Sequence, residues 1–375
     1  MTTEAGTRPT STTTSQSQTL QSAPALLRFA IGIVVVLAYP LVDRALGWGT
    51  LGAMLPILIY VMLALGLNIV VGYAGLLDLG YAAFFAIGAY TTAFLTSPQS
   101  VLPFRTDYWV ALVASFFVAA FFGVLLGAPT LRLRGDYLAI VTLAFGEIVP
   151  RVFLNLESLT GGTRGINPIG RPRLLGFEWG FDQMPWYYLI VAVCAVSIWA
   201  ILRLYDSRLG RAWIAIREDE LAAASLGVNT VTTKLLAFAL GASFAGLAGS
   251  IFASIFQFID PFQFDFAISI LVLSMVILGG LGNIWGVIVG GILMASFDRI
   301  FAERLTGWIN AAGEALGLPV LGSINLGSSR MMIFGGALVL LMLLRPEGLF
   351  PSARRRQELR EGDATETLEG VRATP

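Results

Sequence analysis

Between Ala25 and Phe350 the chain repeatedly runs for about twenty residues with almost no charge, and this constrains its fold more than any other feature. Of its 375 residues 56% are apolar and 13% charged, about half the charged share of a soluble domain. Residues 351–375 hold ten of those charges and residues 1–24 hold two, leaving 36 over 25–350. A soluble domain so composed would expose apolar patches large enough to aggregate. Backbone in lipid must satisfy its own hydrogen bonds, so apolar runs of this length are helices. The ten-residue alternation of a transmembrane barrel is absent. The expected fold is all-α, a polytopic transmembrane helical bundle of about ten spans. They fall near 26–42, 51–71, 77–96, 109–129, 136–154, 186–204, 231–257, 266–280, 284–300 and 329–345.

Three scarcities restrict the chemistry. There is no histidine, which removes imidazole acid–base catalysis and histidine metal ligation. A single cysteine, Cys194, lies in an apolar run and offers neither an internal disulfide nor a thiolate cluster. The only lysine, Lys234, sits in Val231-Thr232-Thr233-Lys234-Leu235, without the Gly-Lys-Ser/Thr ending of a phosphate-binding loop. No catalytic constellation and no metal site are expected. Any dependence on ATP would come from a partner.

The ends differ from the middle. Residues 1–24 are rich in Ser, Thr and Gln and read as a disordered arm, expected on the cytoplasmic side. They are not read as a cleavable signal, because the apolar stretch that follows runs on to Val42 without an obvious small-residue cleavage site. Residues 351–375 form a charged tail. Arginines give the orientation. Arg132 and Arg134 follow the fourth span, Arg203, Arg208, Arg211 and Arg217 follow the sixth, and Arg354, Arg355 and Arg356 open the tail. All fall on one side if 266–300 crosses twice, so both termini are expected in the cytoplasm. The loop 155–185 is then external, with Arg164, Arg171 and Arg173 balanced by Glu157, Glu178 and Asp182.

Glycine interrupts two apolar blocks. Gly72-Tyr73-Ala74-Gly75 and Asp78 break 51–96. Gly279-Gly280-Leu281-Gly282-Asn283 breaks 266–300, either as a tight turn between two helices or as one helix broken within the bilayer. Small residues recur at four-residue spacing in Gly241/Ala245/Gly249, Ala242/Gly246/Ser250 and Gly282/Gly286/Gly290, which is expected to let helix backbones approach closely.

The segment 205–230 is the most informative. Glu218, Asp219 and Glu220 are expected to open a short alanine-rich helix at its positive dipole end, and Gly227 sits where a helix ends. Such a helix is too short to be stable alone and must pack on something. The order of an acid, alanines and a glycine (Glu220, Ala222, Ala223, Gly227) resembles the cytoplasmic coupling loop of ATP-binding-cassette importer permeases. The rest of the chain is similar to the LivM branch of the branched-chain amino acid permeases. The resemblance rests on Asn68 to Gly75, Gly80 to Tyr90, Leu131 to Tyr137, Thr142 to Glu147, Thr160 to Ile166, Met275 to Asn283 with Trp285-Gly286, and Arg345 to Phe350, in the family's order over roughly residues 30–350.

That resemblance implies a permease subunit that forms part of a pathway for branched-chain or related amino acids delivered by an extracellular binding protein. The implied partners are a second, LivH-like permease chain, two LivG/LivF-like ATPases that use ATP and magnesium, and the binding protein, in a bacterial or archaeal inner membrane. The chain itself would hold no cofactor and bind no nucleic acid. Arg211, Arg217, Glu218, Asp219, Glu220, Ala223 and Gly227 would meet the ATPases. Gly75, Asp78, Gly80 and Glu147 are candidates for the substrate pathway, because intramembrane ionisable groups face a cavity or a partner. The bland alternatives are that Asp78 caps a helix at the interface and that Glu147 pairs with Arg151 one turn on. Many relatives carry Ser and His where this chain has Asp78 and Tyr81. Gly161, Gly162 and Thr163 either touch the binding protein or form only a loop. Two rival functions remain open on sequence: a urea or small-amide permease of the same family, and an ion-coupled secondary transporter.

Overall fold

The computed structural model describes residues 34–130, 136–174, 177–180, 182–301, 306–310 and 348–350, with isolated positions at 32 and between 304 and 343. The arm 1–24, the tail 351–375, residues 26–31 and 33 of the expected span 26–42, and most of the expected span 329–345 lie outside the described residues. Helix α1 covers 34–46. Beyond it, α2 (Leu51–Leu67), α3 (Tyr81–Thr96), α4 (Tyr108–Thr130), α5 (Asp136–Asn155), the single turn α6 (Glu157–Thr160), α7 (Gln183–Tyr205), α8 (Arg208–Glu218), α9 (Glu220–Ser225), α10 (Thr230–Phe256), α11 (Phe266–Gly279) and α12 (Ile284–Ser296) follow in order. The described strands are one antiparallel two-residue pair, Arg173–Leu174 with Phe177–Glu178. Seven described helical stretches are long and apolar enough to cross a membrane: Leu51–Tyr73, Tyr108–Thr130, Tyr137–Asn155, Gln183–Tyr205, Thr230–Phe256, Pro261–Gly279 and Ile284–Phe301.

The eighth apolar helix, α3, departs from expectation. The sequence suggests a span over 77–96, but α3 has 16 residues and starts at Tyr81. The chain enters it through Ala74–Gly80, which is not helical. Before that break α2 widens into a π-helical turn over Asn68–Tyr73, closed by Ala74 N to Ile69 O at 3.2 Å. The Tyr81 hydroxyl donates to Gly241 O at 2.8 Å. Gly241 lies eleven residues into α10, roughly 16 Å from that helix's start. The amino end of α3 is therefore deep inside the bundle.

Helix α10 is the central post. Its 27 residues pack against both α3 and α4, and the small residues seen in the sequence make that possible. A Cβ on Gly249 would lie 2.7 Å from Ala89 N of α3, and one on Gly123 of α4 would lie 2.7 Å from Phe238 O. Where the three helices meet, Thr92, Ser115 and Ser250 join hydroxyls, Thr92 to Ser115 at 2.9 Å and Thr92 to Ser250 at 2.7 Å. All three are fully buried, and the shared hydrogen bonds satisfy groups that lipid could not.

The block 266–300 is two helices joined by a tight turn over Gly280–Asn283. Gly280 and Gly282 take φ of 111° and 81°, values that side chains disfavour. Gly286 and Gly290 pack on Gly279 of α11 as the four-residue spacing suggested. Gly282 is a correction to that ladder, because it lies in the turn before α12 begins. Leu349 N and Phe350 N donate to the carbonyls of Leu278 and Gly279 at 2.9 and 3.2 Å. These bonds serve acceptors that a helix end leaves open. Phe350 therefore lies at the same end of the bundle as this turn.

Candidate functional site

Two short helices, α8 and α9, project from the end of the bundle that carries the Gly280–Asn283 turn. The sequence suggested three acids opening one helix. The structure divides them instead: Glu218 ends α8, Asp219 is extended at φ −152°, and Glu220 starts α9. Asp219 is the cap of α9, accepting from Leu221 N at 2.8 Å and Ala222 N at 3.0 Å. Ser207 caps α8 in the same way. Gly227 ends α9 at φ +86°. Its amide donates to Ala224 O at 3.0 Å and the Val228 amide to Ala223 O at 3.1 Å, the paired bonds of a Schellman stop. Every turn of this knob is fixed by local chemistry.

Ties to the described residues hold it to the bundle. The fully buried Trp213 donates its ring N–H to Thr233 O of α10 at 2.7 Å. Lys234, beside it, meets Glu220 with Nζ 2.6 Å from Oε1, and the lysine side chain is only 7% exposed. Arg217 donates to Gly72 O in the π-helical turn. The stem of Arg217 lies over Gly75, where a Cβ would come within 2.8 Å of Arg217 Cγ. Gly75 takes φ +69°, so glycine is suited to the position twice over.

The π-helical turn also reaches the α11–α12 turn. Asn68 Oδ1 accepts from Gly282 N at 3.0 Å, and a Cβ on Gly72 would fall on the Asn68 side chain, 2.8 Å from its Cγ. The knob, the end of α2, the start of α10 and the α11–α12 turn thus form one connected cluster. Facing away from it, Leu221 and Leu226 are 67% and 85% exposed. Arg211, Glu218, Asp219 and Gly227 are also exposed, Arg217 is partly exposed, and Ala223 is buried.

A second cluster surrounds the amino end of α3. Asp78 is fully buried, and its Oδ1 accepts from Gly80 N at 2.9 Å. Its Oδ2 has no hydrogen-bond partner among the described residues. Leu79 N donates to Thr142 Oγ1 of α5 at 3.0 Å and Ala82 N to Ser269 Oγ of α11 at 2.9 Å. Asp78 thus shares the capping of α3 with two other helices, buried among them. Gly80 sits where α3 presses on α5, and a Cβ there would lie 2.9 Å from the Thr142 carbonyl carbon.

Glu147 lies apart from that cluster, on the exposed face of α5, with its Oε2 3.3 Å from Arg151. At the opposite end of the bundle from the knob, the loop after α5 is stitched to α3 and α10. Ile166 N and Ile259 O are 2.9 Å apart, Gly170 N donates to Thr96 Oγ1 at 3.0 Å, and Ser254 donates to Gly170 O at 3.0 Å. Within it Gly162 is buried and Gly161 half-buried, both with positive φ, while Thr163 is exposed. Among the described residues no three Asp, Glu or Cys side chains gather as metal ligands would.

The sequence did not single out Trp213, Asn68 or Gly282 for the knob, and it noted Lys234 only for its isolation. The Lys234–Glu220 tie joins residues fourteen apart across a helix cap, a spacing no helical periodicity predicts. The signal available was a lone lysine beside the start of a long apolar helix.

A protein-family profile described as "Branched-chain amino acid transport system / permease component" matches residues 49–308. The chain is 38% identical to the high-affinity branched-chain amino acid transport system permease protein LivM of Salmonella typhimurium, over 88% of this chain and 76% of the relative. It is 39% identical to LivM of Escherichia coli over the same shares. To the permease protein LivH of Escherichia coli it is 25% identical, over 66% of this chain and 83% of the relative. No solved structure matches the chain.

Proposed function

We propose that this chain, which belongs to the branched-chain amino acid transport permease family, is the LivM-type subunit of an ATP-driven importer and transmits the work of separate ATPases through α8–α9. The observation that carries this reading is the tied knob. A coupling element must be stiff, must be joined to helices that move, and must offer a free face to its partner. Caps at Ser207, Asp219 and Gly227 supply stiffness. Lys234, Trp213 and Arg217 supply the joints to α10 and α2. Leu221 and Leu226 supply the free apolar face, with the exposed Glu218 and Asp219 as its polar rim. Glu220 acts inward, as the anchor of α9, and Ala223 and Gly227 set its packing and end.

The pathway runs past the amino end of α3, with Gly75, Asp78 and Gly80 at its break. Discontinuous helices with a terminus at mid-membrane depth form binding sites in other transporters. A second, LivH-like permease chain completes the route, and a binding protein docks over the loop 155–185 through the exposed edge at Thr163. The chain crosses the inner membrane about ten times with both termini in the cytoplasm. Two features support that side for the carboxyl end: Phe350 leaves the bundle where α8–α9 project, and this end bears Arg203, Arg208, Arg211 and Arg217.

The test is reconstitution of the complete importer in proteoliposomes. Labelled leucine enters only with binding protein and ATP inside, and urea does not. Uptake that ignores ATP but follows an ion gradient overturns the reading, and urea uptake in place of leucine transfers it to the small-amide branch. The double variant Leu221→Asp, Leu226→Asp inserts normally but loses the ATPases on co-purification, with uptake down at least tenfold. Each exposed leucine buried at a partner contributes roughly 1.5–3 kcal/mol, and a charge there removes it. Retention of the ATPases in that variant refutes the docking face.

A further inference from the structure

Helix α5 exposes a face unlike that of α4. On α4 the exposed face carries Val110, Val113, Phe117, Phe121, Val124 and Leu125, a surface suited to lipid. On α5 the exposed stripe includes Tyr137, Ile140 and Ile148, but Glu147 and Arg151 lie within it. Glu147 is the twelfth residue of a twenty-residue helix, near the middle of the span. The two side chains are 47% and 74% exposed and 3.3 Å apart. Facing hydrocarbon, such a pair would lose its hydration, and intramembrane charges instead face a cavity or protein.

From this we infer that Glu147 and Arg151 form a subsite on the outer face of α5, separate from the break before α3, that receives the charged end of a zwitterionic α-amino acid on its way across the membrane. The inference rests on the importer reading and adds a substrate contact to it. The pair is neutral overall and presents one charge of each sign a single turn apart. An α-amino acid carries the complementary two charges on one carbon. Its ammonium meets Glu147 and its carboxylate meets Arg151, which offers a planar fork of donors. The ion pair between the side chains opens as the substrate enters, and the two contacts with the substrate replace it, leaving neither side chain uncompensated. Ile140 and Ile148 on the same stripe supply apolar contact for an aliphatic side chain. Urea, with no charge, gains nothing from such a pair.

The experiment uses the reconstituted importer with Glu147→Gln and Arg151→Gln, measuring initial L-leucine uptake and co-purification of the second permease chain. Each variant is expected to retain the second chain and to lose leucine uptake about tenfold or more, the scale of a charged hydrogen bond. Uptake within twofold of the parent overturns the subsite. Loss of the second chain also overturns it, because the pair is then a seam between subunits. A parent complex that moves no leucine at all refutes the importer reading instead, so the two failures are distinguishable.

Discussion

Lys234→Ala should uncouple the importer while leaving its membrane core folded. The lysine is the one cationic side chain in the Asn229–Phe256 stretch, and it meets Glu220 at 2.6 Å with its own side chain 7% exposed. Truncating it takes a buried ammonium away from the Glu220 carboxylate. Breaking a buried pair costs about 3–5 kcal/mol, and since Glu220 keeps 29% exposure a loss of about 2–3 kcal/mol is expected. That loss falls on α9, six residues that cannot hold helix alone, rather than on the bundle. The docked form of the knob becomes about 30- to 140-fold less populated relative to the open one. Hydrogen exchange over 208–227 should accelerate by up to that factor and leucine uptake should fall, with α3, α4 and α10 still protected. The double variant Lys234→Met, Glu220→Gln removes both charges, keeps much of the volume, and should recover most of the uptake. Unchanged exchange over 208–227 in Lys234→Ala would sink the claim that this pair holds the knob.

How much of this was readable beforehand depends on the range of the interaction. Helices long enough to span follow from local composition, because lipid leaves the backbone no alternative. The stop at Gly227 and the cap at Asp219 are also local. The sequence nevertheless joined the acids into one helix opening, because a single extended residue at Asp219 is invisible to helical periodicity. The sequence placed a break at Gly72–Gly75 and Asp78 but began the next span at 77, short of the start of α3 at Tyr81, for a related reason. Residues 77–80 are apolar enough to extend the span, and what unwinds them is a set of acceptors from elsewhere: Thr142 on α5 and Ser269 on α11 take the amides that a continuing helix would have used. Arg217 counted toward orientation and toward ATPase contact. Its reach to Gly72, 145 residues away, requires the folded neighbourhood of α2 and α8.

Glycine shows the same limit most sharply, and it carries the largest stability prediction. Gly88 of α3 and Gly127 of α4 look alike in sequence, each among apolar residues in a helix. A Cβ on Gly88 would lie 2.7 Å from the Gly246 carbonyl carbon, and closer still to that residue's Cα and oxygen. Those atoms are the backbone of the central helix and cannot turn aside. A Cβ on Gly127 would first meet Leu235 Cδ2 at 3.0 Å, the movable tip of a side chain. Gly88→Val should therefore force α3 away from α10, opening the Thr92–Ser115–Ser250 hydroxyl cluster as well. Overpacking alone costs about 1–3 kcal/mol, and unpairing buried hydroxyls adds about 1–3 kcal/mol for each group left unsatisfied. Together these approach the whole stability of a typical domain, about 5–15 kcal/mol. The expected result is loss of the monodisperse complex in size-exclusion chromatography, with no recoverable uptake. Gly127→Ala should purify as the parent does, within about 1 kcal/mol, since the shifted leucine is offset by the better helix propensity of alanine. Equal behaviour of the two variants would mean that α3 and α10 do not meet backbone to backbone at Gly88 and Gly246.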